Sequence, residues 1–133
     1  MERLRERVAL AGKALETLKE LAGLGAPSAV ERDAAIQRFE YTFEAVWKLA
    51  QRHLRIQEGI EAGSPKASIR RSRDVGLLSD TAAEAALAMA DNRNQTVHTY
   101  NEAVAVAIFG RLSDHLRVLE AWHGTIAQRL PGG

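Results

Sequence analysis

Apolar residues recur at intervals of three and four along almost the whole chain, and this periodicity limits the fold more than any other feature. The first segment shows it clearly, with apolar side chains at Leu4, Val8, Ala11, Leu15 and Leu18. This is the spacing of an amphipathic helix with one apolar face. No stretch shows the strict alternation of apolar and polar residues that marks a half-buried strand. The sequence therefore predicts an all-α protein.

Few glycines and prolines interrupt this pattern, and most of them lie in short stretches, at residues 21–29, 59–65, 75–80 and 130–133. We expect the first helix to end near Gly23 or Gly25, because glycine commonly terminates helices. A second helix is expected over residues 29–58, with Ser28 and Glu31 forming a capping box at its start.

Three more helices are expected in the second half of the chain, one short and two longer. They are expected to start at Pro65, at Ser79 or Asp80, and at about Asn101, and to end near Gly76, His98 and Leu130. Helices joined by short loops favour an antiparallel arrangement. We therefore predict a single domain over residues 1–133, an up-and-down four-helix bundle with a short extra helix.

Composition excludes several classes of function. The 133 residues contain no cysteine, which rules out disulfides, thiol nucleophiles and cysteine-based metal sites. The formal net charge is +1, so the surface as a whole has no bulk attraction for nucleic acid or membranes. No apolar run approaches the roughly 20 residues of a membrane-spanning helix, and the N-terminal residues do not resemble a targeting signal. We therefore expect no membrane association and a cytoplasmic location.

The segment DNRNQTVHTY, residues 91–100, concentrates hydrogen-bonding side chains where a bundle helix normally buries apolar ones. Arg93 offers a fork of donors that suits a phosphodiester, and His98 can transfer a proton near neutral pH. On a regular helix Asn94 and His98 share a face, but Arg93 and His98 lie about 140° apart around the axis. That pair converges only if the helix ends or bends there, or if a second subunit contributes its own copy. The same residues also suit a structural knot of satisfied hydrogen bonds.

Residues 93–100, RNQTVHTY, resemble the R-x4-H-x-Y signature of the HEPN superfamily, and most of all its branch of nucleotidyltransferase substrate-binding proteins. The second helix with FEYTFEAVWKLAQ, the SPKASIRRSRDVGLLSD insert and the final long helix follow the same plan over nearly the whole chain. The resemblance implies a helical bundle that forms a homodimer and a complex with a separately encoded minimal nucleotidyltransferase. Many proteins of this kind are toxins with ribonuclease activity, which implies RNA or a nucleotide as the substrate.

The resemblance also implies a role for each motif residue. Arg93 would bind the scissile phosphate, His98 would act in proton transfer, and neither role needs a cofactor. Asn94 would be the polar residue that follows the arginine, and Tyr100 would match the tyrosine that the partner enzyme adenylylates in toxin–antitoxin pairs. The chain departs from the family just upstream of Arg93, where the run AAEAALAMA stands in place of a frequent large aromatic residue.

Three functions stay open at this stage. The chain is a dimeric partner of a nucleotidyltransferase, an active metal-independent ribonuclease, or a structural bundle with a vestigial motif. It has no Gly-rich phosphate loop and no Gly-Ser pair with downstream carboxylates, so we do not expect it to be the transferase itself. Glu120 and His123 have the Glu-x-x-His spacing of di-iron bundles, but such sites need two pairs, and no metal site is predicted.

The remaining polar and aromatic residues are expected to have structural or solvent-facing roles. His53 and His115 are expected to be packing or surface residues, and Glu40 and Glu44 to be exposed. The charge run Arg70, Arg71 and Arg73 is expected to form a solvated face of a short helix, with contact to RNA or to an acidic partner as the alternative. Broad apolar stripes favour a second buried surface and thus a dimer; their members are Val46, Trp47, Leu49, Ala50, Val118, Leu119, Ala121 and Trp122.

Overall fold

The computed structural model describes residues 2–98 and 101–131, except for the side chains of Val97 and His98. All regular structure in these residues is helical, which confirms the all-α prediction. Six helices follow one another: α1 (Glu2–Ala22), α2 (Ala29–Glu58), α3 (Pro65–Asp74), α4 (Asp80–His98), α5 (Glu102–Phe109) and α6 (Leu112–Gln128). Within the described ranges, none of these helices is both long and apolar enough to span a membrane.

Local sequence signals set the ends of α2 and the start of α3 as predicted. The Ser28 hydroxyl accepts a hydrogen bond from the Glu31 amide at 3.1 Å, and the Glu31 carboxylate accepts one from the Ser28 amide at 2.8 Å. Gly59 ends α2 with a φ of 66°, a left-handed conformation that glycine adopts without steric strain. Ser64 caps α3 just before Pro65. The predicted bounds of the second helix are thereby confirmed.

The last predicted helix, over residues 101–130, is wrong as a single element because the chain forms two helices there. Gly110 and Arg111 separate α5 from α6. α5 packs on α2 and α4, whereas α6 packs on α1, α2 and α4, so the turn allows the chain to change its packing partners. Glycine is also a weak helix former, which lowers the cost of an interruption at this point.

The core lies between the long helices and extends beneath α3. Its largest fully buried side chains include Trp122, Phe39, Phe43, Leu49 and Met89. The Trp122 indole donates a hydrogen bond to the Ser72 hydroxyl at 3.1 Å, which ties α3 to α6. Six members of the broad stripe of α2 and α6 are buried within one chain: Val46, Trp47, Leu49, Ala50, Leu119 and Trp122. Val118 is half-buried and Ala121 is exposed. Most of the stripe is therefore covered within one chain, and the dimer stays a prediction.

Candidate functional site

Arg93 lies near the end of α4 with a side chain that is 31% exposed. Its Nη2 is 3.5 Å from Oε2 of Glu44 on α2, at the outer limit of a hydrogen bond. Its Nε is buried and has no hydrogen-bond partner among the described residues. A buried donor without a partner is unfavourable. The guanidinium is therefore incompletely satisfied by its protein neighbours, and only its exposed part can reach a ligand.

Glu44 connects Arg93 to α2 and to the core. The Trp47 indole donates to Glu44 Oε2 at 3.0 Å, and Lys48 Nζ lies 3.1 Å from Oε1. Burial would raise the pKa of Glu44. The hydrogen bonds from Trp47 and Lys48, and the charges of Lys48 and Arg93, outweigh this effect and hold the pKa below its usual value. Glu44 is therefore ionised at neutral pH, next to a guanidinium that it holds only loosely.

The prediction that Glu40 and Glu44 are exposed is wrong, because both side chains are half-buried where α2 faces α1 and α4. The role of Glu44 was missed because its partner Arg93 is 49 residues away in the sequence. One local signal was available: Glu44, Trp47 and Lys48 are three and four residues apart, which places them together on one turn of the helix.

Arg93 stands where two surface grooves meet. The first groove has a volume of about 550 Å³, and its other lining residues are Arg7, Gln37, Glu40, Tyr41, Glu44, Ala45 and Lys48. The second groove has a volume of about 400 Å³, and its other lining residues are Phe43, Ser64, Pro65, Lys66, Ala90 and Asn94. Because Arg93 belongs to both walls, an extended ligand that spans the two grooves passes the guanidinium.

Phe43 lies near the part of α4 upstream of Arg93 that lacks the large aromatic residue frequent in the family. The run AAEAALAMA leaves only small side chains such as Ala90 at the second groove on the α4 side. Phe43 reaches the same groove from α2, and its ring is paired with that of Phe39 at a centroid distance of 6.2 Å. Phe43 therefore packs beneath this groove from another helix, but at 1% exposure it presents no open aromatic face.

Asn92, next to Arg93 in the sequence, is held in a different way. Its Oδ1 accepts a hydrogen bond from His115 Nε2 at 2.9 Å, and the His115 ring stacks on Phe39 at 5.2 Å. Burial, with a smaller contribution from the charge of Arg111, lowers the pKa of His115 to about 4. His115 is therefore a neutral packing residue at pH 7, and it fixes α4 beside the α2–α6 contact.

The structure brings two of the four predicted site residues to one groove. Arg93 and the exposed Asn94 both line the second groove. The side chain of His98 and the whole of Tyr100 lie outside the described residues, so their roles stay predictions.

The other candidate residues have structural or solvent-facing places. His53 is 1% exposed, and burial lowers its pKa. His123 donates through Nε2 to the carbonyl oxygen of Val8 at 2.8 Å and thereby links α6 to α1. The arginines of the charge run are exposed, as predicted: Arg70, Arg71 and Arg73.

The chain matches the family model described as "Nucleotidyltransferase substrate binding protein like" over residues 6–128. It therefore belongs to this family, within the HEPN superfamily, as the motif and the helical plan predict.

Individual proteins show the same relationship. The probable ribonuclease HepT of Haemophilus influenzae is 33% identical over 86 residues, which are 62% of this chain and 58% of that protein. This chain thus spans less than two thirds of the length of that curated relative. A crystal structure from Thermus thermophilus is 61% identical, with a TM-score of 0.84 over 87% of this chain and 98% of that chain.

A more distant structure has the same fold. The tri-AMPylated HEPN toxin of Shewanella oneidensis, in complex with an MNT antitoxin, has a TM-score of 0.78 at 19% identity. The alignment covers 95% of this chain and 97% of that chain.

Proposed function

We propose that this protein is the toxin half of a cytoplasmic toxin–antitoxin pair, which forms a homodimer and binds a separately encoded minimal nucleotidyltransferase. The observation that carries this proposal is the family match over residues 6–128 together with the RNQTVHTY segment. The Shewanella oneidensis toxin, AMPylated and bound to an MNT antitoxin, supports the same assignment.

Tyr100 is the proposed acceptor of the nucleotide. Its phenol oxygen would form a bond to the α-phosphorus of ATP, pyrophosphate would leave with the electron pair of the broken bond, and the phenol proton would pass to a base. The partner enzyme would bind and activate the ATP, because the sequence of this chain contains no Gly-rich phosphate loop.

The bundle itself is proposed to be an up-and-down arrangement of α1, α2, α4 and α6, with α3 and α5 as additional short helices. The contacts of α1 with α2 and α6, and of α4 with α2 and α6, support this arrangement. The loop between α1 and α2 is short, which favours antiparallel neighbours.

Mass spectrometry tests the transfer. The chain is incubated with ATP and with the nucleotidyltransferase encoded beside it, and the expected product carries one or more adenylyl groups at Tyr100. Tyr100→Phe keeps the ring and should not be modified there, whereas Tyr41→Phe, on the exposed face of α2, should be modified like the unaltered chain. Absence of a complex and of added nucleotide contradicts the proposal.

A second candidate function is cleavage of RNA by Arg93 and His98. The partly exposed guanidinium of Arg93 at the junction of two grooves favours it, because a guanidinium fork fits the oxygens of a phosphodiester. Arg93 would bind the scissile phosphate, Asn94 would contact the same strand, and His98 would transfer the proton. RNA cleavage by the purified protein should disappear in His98→Ala, and cleavage that survives this change contradicts the role of His98.

A further inference from the structure

Four arginines gather where the start of α1 lies beside the end of α2, and we call them the arginine patch: Arg3, Arg7, Arg52 and Arg55. None of the four forms an ion pair with any described residue. The positive charge of Arg7, followed by burial and by the charges of Arg55 and Arg3, lowers the pKa of Arg52. A chain with a net charge of only +1 therefore concentrates four positive charges at one place, with Glu6 as an acidic neighbour.

The arginine patch continues into the grooves at Arg93. Arg3 and Arg7 line a third concavity of about 400 Å³ with Glu6 and Leu10. Arg7 also lines the first groove, whose far wall is Arg93. One path thus runs along the surface from Arg3 past Arg7 to Arg93, and its first groove is lined by the carboxylates of Glu40 and Glu44 as well as by Lys48.

Tyr41 adds an aromatic surface to the first groove of this path. It lines the first groove, is 44% exposed, and its hydroxyl is 2.6 Å from that of Thr17, which fixes the ring. Single-stranded nucleic acids bind proteins through this pair of features, a positively charged groove for the phosphates and aromatic rings on which bases stack.

We propose that a single-stranded RNA lies along this path, with backbone phosphates on the arginine patch, a base on Tyr41 and the scissile phosphate at Arg93. The inference rests on the second proposed function, RNA cleavage. An acidic protein partner would also be attracted to the arginine patch. The continuity of the path with Arg93, and the preference of guanidinium groups for phosphodiester oxygens, favour RNA.

Binding measurements with a fluorescein-labelled RNA of twelve nucleotides test this proposal. All variants carry His98→Ala, so that the RNA stays intact. Arg52→Gln/Arg55→Gln removes two charges three residues apart at the end of α2. Arg70→Gln/Arg73→Gln is the matched control, because it removes two exposed charges with the same spacing at the end of α3.

The arginine-patch variant should bind the RNA about tenfold more weakly at 0.1 M salt, and the slope of log K against log salt should fall by about 1.4 for two lost phosphate contacts. The control should keep the slope and the affinity. Tyr41→Leu should weaken binding with an unchanged slope, whereas Tyr41→Phe keeps the ring and should bind normally.

Three outcomes overturn the inference. In the first, the arginine-patch variant and the control lose RNA affinity equally, or neither loses it, while the unaltered chain still cleaves RNA; the ribonuclease function then stands without this path. In the second, the arginine-patch variant keeps RNA affinity but no longer binds the nucleotidyltransferase, which makes the arginine patch a protein-docking surface. If no form binds RNA, the ribonuclease proposal and this inference both fail, and adenylylation of Tyr100 is judged by mass spectrometry alone.

Discussion

Asn92 and Arg93 are neighbours on α4, yet their surroundings differ in almost every physical respect. Asn92 accepts a hydrogen bond from the neutral, buried ring of His115, in a contact stacked on Phe39. Arg93 is charged, half-exposed, and joined to Glu44 only at 3.5 Å, with a buried Nε that has no partner in the described part of the chain. One residue is fixed for stability and the next is available for a ligand. The polar segment around them is therefore a structural knot and a candidate site at once.

Removal of His115 should have the largest effect on stability, because it destroys the contact that holds Asn92. His115→Ala deletes a buried ring and leaves Asn92 without its donor. We expect a loss of about 3 to 4 kcal/mol in the free energy of unfolding, measured with urea. A loss below about 1 kcal/mol would show that the His115–Asn92 contact does not hold α4 in place.

Acid should weaken the same contact. The pKa of His115 is about 4 in the folded chain and 6.5 in its reference state. Between these two pH values His115 is therefore protonated in the unfolded chain and neutral in the folded chain. The stability that the neutral ring contributes is complete above pH 6.5 and is lost as the pH falls toward 4, by up to about 3 kcal/mol. His115→Gln should lose less stability over this range in urea titrations at several pH values, and an identical pH profile would contradict the assignment.

Substitution of Arg93 should have the smallest effect on stability. It should thereby separate the role of Arg93 from the structural role of Asn92. An exposed ion pair of poor geometry contributes little, so Arg93→Gln should change the free energy of unfolding by no more than about 0.5 kcal/mol. RNA cleavage, if His98→Ala abolishes it, should be lost in Arg93→Gln as well. A destabilisation as large as that of His115→Ala would place Arg93 in the structural knot and remove the basis for its role at a phosphate.

The sequence predicts those features that depend on neighbours along the chain. The capping box of Ser28, the left-handed Gly59 and the Ser64-Pro65 start are local, and the helix bounds that they set agree with the structure. The interruption at Gly110 reflects a change of packing partners, which periodicity alone does not reveal because the apolar spacing continues on both sides.

The residues of the candidate site also fall into two groups, those that a contiguous motif reveals and those that only packing brings together. Arg93 and Asn94 stand out because the motif is contiguous. Glu44 and the arginine patch arise only when α1, α2 and α4 pack together, so residues far apart in sequence become neighbours. The exposure assigned to Glu44 failed for this reason, since its surroundings depend on a helix that starts 36 residues later.

The hydrogen bond from Trp47 to Glu44 makes the site visible by fluorescence. The chain has two tryptophans, and Trp122 is fully buried against Ser72, away from the grooves at Arg93. In Trp122→Phe the remaining indole reports the charge balance between Glu44 and Arg93. An anion that draws the guanidinium away from the carboxylate should therefore shift the emission of a fluorophore native to the protein, without any added label.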